Sequence, residues 1–180
     1  ESYVPSYSAT SVKRLEDAGC IMLGKTNCDA WAHGASGENS DFGPTRNPWN
    51  QGYVPGGSSS GSAVAVSANL TLIATGTDTG GSVRQPANFC AVVGLKPTYG
   101  AVSRYGVIAM GSSLDSIGHL THTVGDSEKV FNVTRGEDGK DATLLSTKHE
   151  VRSTKLRIGV PKEYFIKGID KEVENAVLGA

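Results

Sequence analysis

Three stretches of this 180-residue sequence join glycine to serine or threonine in patterns that chemistry can use. In Gly76-Thr-Asp78-Thr-Gly80-Gly81-Ser82-Val-Arg84, an apolar run from Thr71 to Thr75 leads into two consecutive glycines, a serine and a helix-forming segment. A strand, a turn and a helix in that order present the serine hydroxyl at a helix N-terminus. The N–H groups of Thr79, Gly80, Gly81 and Ser82 are then free to meet a developing oxyanion. A glycine-rich turn with an N-cap serine accounts for the same residues without chemistry. Gly57-Ser58-Ser59-Ser60-Gly61 matches G-x-S-x-G and puts Ser59 at the nucleophile position. The preceding Gln51–Pro55 cannot be the central strand that such an elbow needs, because proline has no N–H for the ladder. Gly19 to Thr26 matches G-x-x-x-x-G-K-[ST], but its intervening residues are the apolar run and a helix precedes Gly19, so the phosphate-cradling loop is missing. Of His119, His122 and His149, none is singled out as a base. His119-x-x-His122 lacks the cysteine spacing or helical glutamate of a zinc site, so a structural role is expected and no metal.

A serine placed in this way needs a sheet and helices to hold it. Ser8 to Ala18 reads as an amphipathic helix opened by Ser8 and closed by Gly19, followed by a buried strand, Cys20 to Leu23. Gly34 to Ser62, rich in Gly, Ser, Asn and Pro, reads as a functional loop or a linker. Helices are expected over Ala63–Ala68, Arg84–Val92, Gly125–Thr134 and Asp170–Ala180, and strands over Thr71–Thr75 and Leu156–Val160, the last stopped by Pro161. Helices alternating with short apolar strands predict an α/β fold with a mostly parallel sheet covered by helices.

Composition narrows the function. Seventeen Lys+Arg against 18 Asp+Glu leave a net charge of -1, without the basic excess that binding nucleic acid directly requires. Twenty-three glycines point to tight turns and close backbone approaches. Cys20, Cys28 and Cys90 are odd in number and lack C-x-x-C spacing. Cys20 and Cys90 lie in apolar stretches, which suits buried free thiols in a reducing compartment. No apolar run is long enough to span a membrane and no secretory leader opens the sequence, so neither a membrane nor export is expected. Both ends read as cut from a longer chain.

Pro55-Gly-Gly-Ser58-Ser-Ser-Gly61-Ser-Ala, followed 24 positions after Ser58 by Gly80-Gly81-Ser82-Val-Arg84, resembles the signature of the amidase signature family, hydrolases that use Ser, a second Ser and Lys. Gly24-Lys-Thr-Asn27-x-Asp29, Gly43-Pro-Thr-Arg-Asn-Pro-Trp49, Arg84-x-Pro-Ala87-x-Phe-Cys90, Val93-Gly-Leu-Lys-Pro-Thr-Tyr99, Ser103-Arg-Tyr-Gly106 and Arg157-Ile-Gly-Val-Pro-Lys-Glu-Tyr164 are most similar to the branch whose members act as the glutaminase subunit in making Gln-tRNA or Asn-tRNA. The resemblance implies the amidase signature fold, a mixed, mostly parallel central sheet with helices on both faces. Residues 1–180 would be the central part of one such domain, truncated at both ends.

It further implies Ser82 as nucleophile, Ser58 as a bridging serine held through a cis peptide bond, and Thr79, Gly80 and Gly81 as oxyanion-hole backbone. Gly34 and Ser59 would line the substrate pocket, and Asp78 with Arg84 would brace the loop as an ion pair. The family's lysine base falls before Glu1, and Lys25 does not match it; the contacts to the glutamine carboxylate fall past Ala180. His33, Ser60 and His119 stand where the family commonly has Met, Gly and Pro. Glutamine is the implied substrate. No cofactor belongs to this subunit, while ATP and Mg serve a partner subunit. The implied partners are B-type and C-type amidotransferase subunits, with tRNA held by the partner, in the cytoplasm or an organelle matrix. The rival expectations are a stand-alone amidase acting on a small or fatty amide, and a fragment left inactive by the missing lysine.

Overall fold

A computed structural model describes residues 4–145 and 158–180, and the chain divides between Thr147 and Lys148 into two units. The first carries α1 (Thr10–Asp17), α2 (Ser60–Ser67), β1 (Ile73–Asp78), α3 (Arg84–Phe89), β2 (Val93–Leu95), β3 (Ser116–Thr121) and α4 (Val124–Thr134). The sheet order is β1-β3-β2. β1 and β3 pair antiparallel from Ile73↔Thr121 to Asp78↔Ser116, and β2 pairs antiparallel with β3 through Val93↔Thr121 and Leu95↔His119. β1 and β2 therefore run in one direction, joined through α3, which is the alternation that predicted parallel strands. β3 enters between them in the opposite sense, so both described pairings are antiparallel.

β3 is buried along its whole length, and its side chains alternate between the two faces. Leu120 packs with Ala63 and Val66 of α2, Val83, and Ala87 and Cys90 at α3, forming the core. On the other face the His119 ring meets Ser127 of α4, its Nε2 3.0 Å from the Ser127 carbonyl oxygen and 2.8 Å from the hydroxyl. The helices thus cover both faces. α1 joins α4 through Arg14, whose guanidinium donates to the carbonyls of Thr134, Arg135, Gly136 and Glu137, satisfying groups that the end of α4 leaves unpaired.

Several expectations shift. α1 starts at Thr10 after Ala9, without a side-chain cap from Ser8, and closes as expected at Gly19, where φ is 92°. Cys20–Leu23 is not a strand: an extended run becomes one only by pairing, and among the described residues nothing pairs with it. Its Ile21 and Leu23 are 84% and 74% exposed. With Ile73–Thr75 on the free edge of β1, it lines an open apolar trough of about 760 Å³. Cys20 is exposed for the same reason, as is Cys28, whereas Cys90 is buried as expected and burial pushes its thiol up to about 11. α3 stops at Phe89 rather than Val92, and Ala91 beyond it has a φ of 56°.

In the second unit, Asp170 caps α5 (Lys171–Gly179) by accepting the Glu172 N–H at 2.7 Å. Of the strand expected over Leu156–Val160, residues 158–160 are not in a strand, while Leu156 and Arg157, like His149, lie outside the described residues.

Candidate active site

Ser82 is placed by the residues on either side of it. Val83 is fully buried, and a Cβ at Gly76, Gly94 or Gly118 would come within 2.9, 3.4 or 3.3 Å of its side chain. Gly76 and Gly118 are cross-strand partners, so glycines on all three strands leave a dimple that Val83 fills. Ser82, half-buried, is thereby held two residues before α3.

The Asp78 carboxylate at the end of β1, wholly buried, fixes the turn from the other side. It accepts the N–H of Gly81 at 2.8 Å, of Val83 at 3.1 Å and of Arg84 at 3.2 Å, as well as the Arg84 guanidinium at 3.0 and 3.1 Å. Burial alone would raise this carboxyl, but Arg84 and the two N–H groups of Val83 and Arg84 outweigh it and hold it below its ordinary value. The ion pair expected between Asp78 and Arg84 is present. Gly81 departs from expectation: its N–H, read as an oxyanion donor, is spent on Asp78. Thr79 and Gly80 keep N–H groups that, among the described residues, have no internal acceptor.

The Ser58 loop lies against this turn. Ser59 donates its N–H to the Ser82 carbonyl at 3.1 Å and its hydroxyl to the Thr77 carbonyl at 3.3 Å, and Gly57 donates its N–H to Gln85 Oε1 at 3.2 Å. The Gly57–Ser58 peptide bond is cis. Ser58 is 2% exposed and Ser59 6%. Among the described residues no strand precedes this loop, so Ser59 sits at the N-cap of α2 with its hydroxyl tied to β1 rather than in an elbow. Ser60, where the resemblance implies glycine, finds a partner in the Thr45 hydroxyl at 3.0 Å.

Two buried carboxylates that spacing alone did not single out hold the outer side of the site. Asp29 runs beside the Ser58 loop, its N–H donating to the Ser58 carbonyl at 3.2 Å, and a Cβ on Gly34 would overlap its carboxyl group. Asp115 accepts the Thr79 hydroxyl at 2.5 Å and the N–H of Met110 at 2.9 Å. The signal was a motif rather than a pattern: Asp29 closes Gly24-Lys-Thr-Asn-Cys-Asp29, and no Lys or Arg follows until Arg46. Ser82, Ser58, Ser59, Thr79 and Gly80 thus lie on adjoining turns, and Gly34 reaches them through Asp29. The apolar trough along β1 is lined by neither Ser58 nor Ser82, and Lys25 lies on it. Among the described residues, no helix is long and apolar enough to cross a membrane.

The amidase family model matches residues 1–180. The A-type subunit of glutamyl-tRNA(Gln) amidotransferase from Acidobacterium capsulatum is 54% identical over 186 residues, covering 99% of this chain and 39% of that protein. Its counterpart from Carboxydothermus hydrogenoformans is 52% identical, covering 98% and 38%. The chain thus spans about two-fifths of the length of the curated relatives it matches. The crystal structure of the A-type glutamyl-tRNA(Gln) amidotransferase subunit from Thermotoga maritima is similar with a TM-score of 0.80 at 54% identity, over 82% of this chain and 32% of that one. A 6-aminohexanoate cyclic dimer hydrolase follows with 0.77 at 37% identity, over 83% and 31%. A family model matched from end to end, relatives above 50% identity and an α/β frame shared with solved amidases establish that this chain belongs to the amidase family.

Proposed function

We propose that this chain carries the nucleophile half of a Ser–Ser–Lys amidase site, in the glutaminase subunit of a tRNA-dependent amidotransferase. The observation that carries the reading is the bond from the Ser59 N–H to the Ser82 carbonyl, which sets the Ser58 loop beside the turn at the head of α3. Ser82 Oγ attacks the carboxamide carbon of glutamine while its proton passes through Ser58 to a neutral, buried lysine. The N–H groups of Thr79 and Gly80 meet the tetrahedral oxyanion. The proton returns to the leaving nitrogen, ammonia departs, and water hydrolyses the acyl-Ser82 ester to glutamate. The base is the lysine that the family places before Glu1, and the ammonia serves transamidation of misacylated Glu-tRNA(Gln) or Asp-tRNA(Asn). B-type and C-type partner subunits bind the tRNA and use ATP with Mg, this subunit needs no cofactor, and the complex works in the cytoplasm or an organelle matrix.

The test uses the full-length protein with its partner subunits. A serine-directed phosphonate probe is expected to label Ser82 in the wild type, and Ser82→Ala is expected to abolish both labelling and glutamine hydrolysis. Ser58→Ala is expected to lower turnover by about 10² or more, the usual size of a general acid–base step. Labelling at Ser59, or turnover that survives Ser82→Ala, would overturn the assignment. Amide hydrolysis independent of partner subunits would favour the stand-alone amidase instead.

A further inference from the structure

Asp29 is wholly buried, yet backbone amides rather than a cation meet its carboxylate. Oδ1 accepts the Asn39 N–H at 2.9 Å and Oδ2 accepts the Gly37 N–H at 3.1 Å. A buried charge in such a place is retained only where its hydrogen bonds are well made. The same carboxylate touches the backbone on two further sides, since a Cβ on Gly57 would overlap Oδ2 and one on Gly34 would overlap the carboxyl carbon. Glycine at both positions lets two loops close on one carboxylate with nothing between. The main chain completes the clamp: Asp29 donates its N–H to the Ser58 carbonyl at 3.2 Å, and two residues earlier the Asn27 carbonyl accepts the Gly61 N–H at 3.0 Å. Asp29 therefore grips the peptide that carries Ser58 and, through its carboxylate, the turn from Gly34 to Asn39.

Resting on the proton relay proposed above, we propose that Asp29 is a positioning residue for Ser58. Its carboxylate locks the Gly34–Asn39 turn and the Ser58 peptide into one frame, so that Asp29 acts on turnover through the bridging serine. Asparagine cannot replace it, because an amide that accepts from one of the two N–H groups turns its own NH₂ toward the other.

The experiment is a double-mutant cycle in the full-length protein with its partners, reading glutamine hydrolysis per site titrated to completion with the serine-directed probe. Asp29→Asn is expected to lower kcat by about 10²-fold, the scale of a misplacement near 1 Å, with a smaller change in KM. In the Ser58→Ala background the same substitution is expected to add little, because a positioning residue has nothing left to position. Asp29→Ser, whose hydroxyl accepts one N–H and brings no opposing amide, is carried through the same cycle, so that poor folding of the Asn variant does not decide the outcome. Wild-type kcat per titrated site in both variants overturns the inference, as does a full Asp29 loss added on top of Ser58→Ala. Turnover that survives Ser82→Ala overturns the nucleophile assignment instead, so the two failures are told apart.

Discussion

Asp78→Asn tests whether a buried carboxylate organises the nucleophile turn. Asp78 accepts three backbone N–H groups and the Arg84 guanidinium with no solvent exposure of its own. The Asn oxygen can keep the Gly81 N–H or the Val83 and Arg84 pair, but its NH₂ must then face the group left behind. At least one buried donor loses its acceptor, which costs about 1–3 kcal/mol. The Arg84 side chain is 54% exposed, so solvent screening limits the loss of its ion pair to about 1 kcal/mol at most. The variant should lose about 1–4 kcal/mol in all. The pH dependence has a definite sign. Because the folded state holds this carboxyl below its ordinary value, near 3.9 in an unfolded chain, its contribution is fully present above about pH 4 and is lost as pH falls through the lower folded-state value. Urea unfolding of wild type and variant at pH 7 and at pH 3 measures both effects, and the gap between them should narrow at pH 3. A variant within about 0.5 kcal/mol of wild type at pH 7, or a gap that does not narrow in acid, would refute the reasoning.

Gly76→Ala brings a methyl to 2.7 Å from Ser59 Oγ and 2.9 Å from Val83 Cγ2; a stability loss of about 1–3 kcal/mol with slower probe labelling of Ser82 is expected, and wild-type labelling would show that the Val83 dimple does not place the nucleophile. Burial lowers the His119 imidazole below its ordinary value, against a smaller opposing effect of the Ser127 carbonyl, so its contribution to stability is present above about pH 6.5 and is lost as pH falls through the lower folded-state value. His119→Gln, which can still donate to Ser127, should flatten the urea-midpoint profile below pH 6.5, and an unchanged slope rejects the assignment. The 180-residue chain alone is expected to hydrolyse no glutamine above background, because nucleophile and base act as a unit; turnover abolished by Ser82→Ala would place a sufficient base within these residues.

What the sequence made legible was set by local chemistry. α4 and α5 lie near their expected places because each carries its own cap, Thr123 before α4 and Asp170 before α5, whereas α2 and α3 lie near theirs without a side-chain cap. The strand expected over Thr71–Thr75 lies instead at Ile73–Asp78, since the polar Thr77 and Asp78 give no apolar signal although they pair with Ile117 and Ser116. β3 has no counterpart among the expected strands. Ser-Ile-Gly-His-Leu-Thr has weak alternation, and its glycine is there for Val83 and the Leu95 carbonyl, contacts that no local pattern encodes. Cys20–Leu23 fails in the opposite way, with a strong strand pattern and, among the described residues, no neighbour to pair with.

The site divides along the same line. Ser58 and Ser82 are legible because the glycines around them are sequence signals for backbone that must bend or approach closely. Gly81 is not, because a donor's availability depends on where the buried carboxylate three residues earlier points, and Asp78 turns back to claim it. The same logic explains why the most informative residues near the serines are acidic and buried. Asp29, Asp78 and Asp115 each gather backbone N–H groups of a loop that lacks regular secondary structure. A loop of glycines and serines has many conformations to lose, and a carboxylate with several acceptor sites can fix several amides at once. In this chain the serines supply the hydroxyls, and the aspartates hold the backbone that aims them.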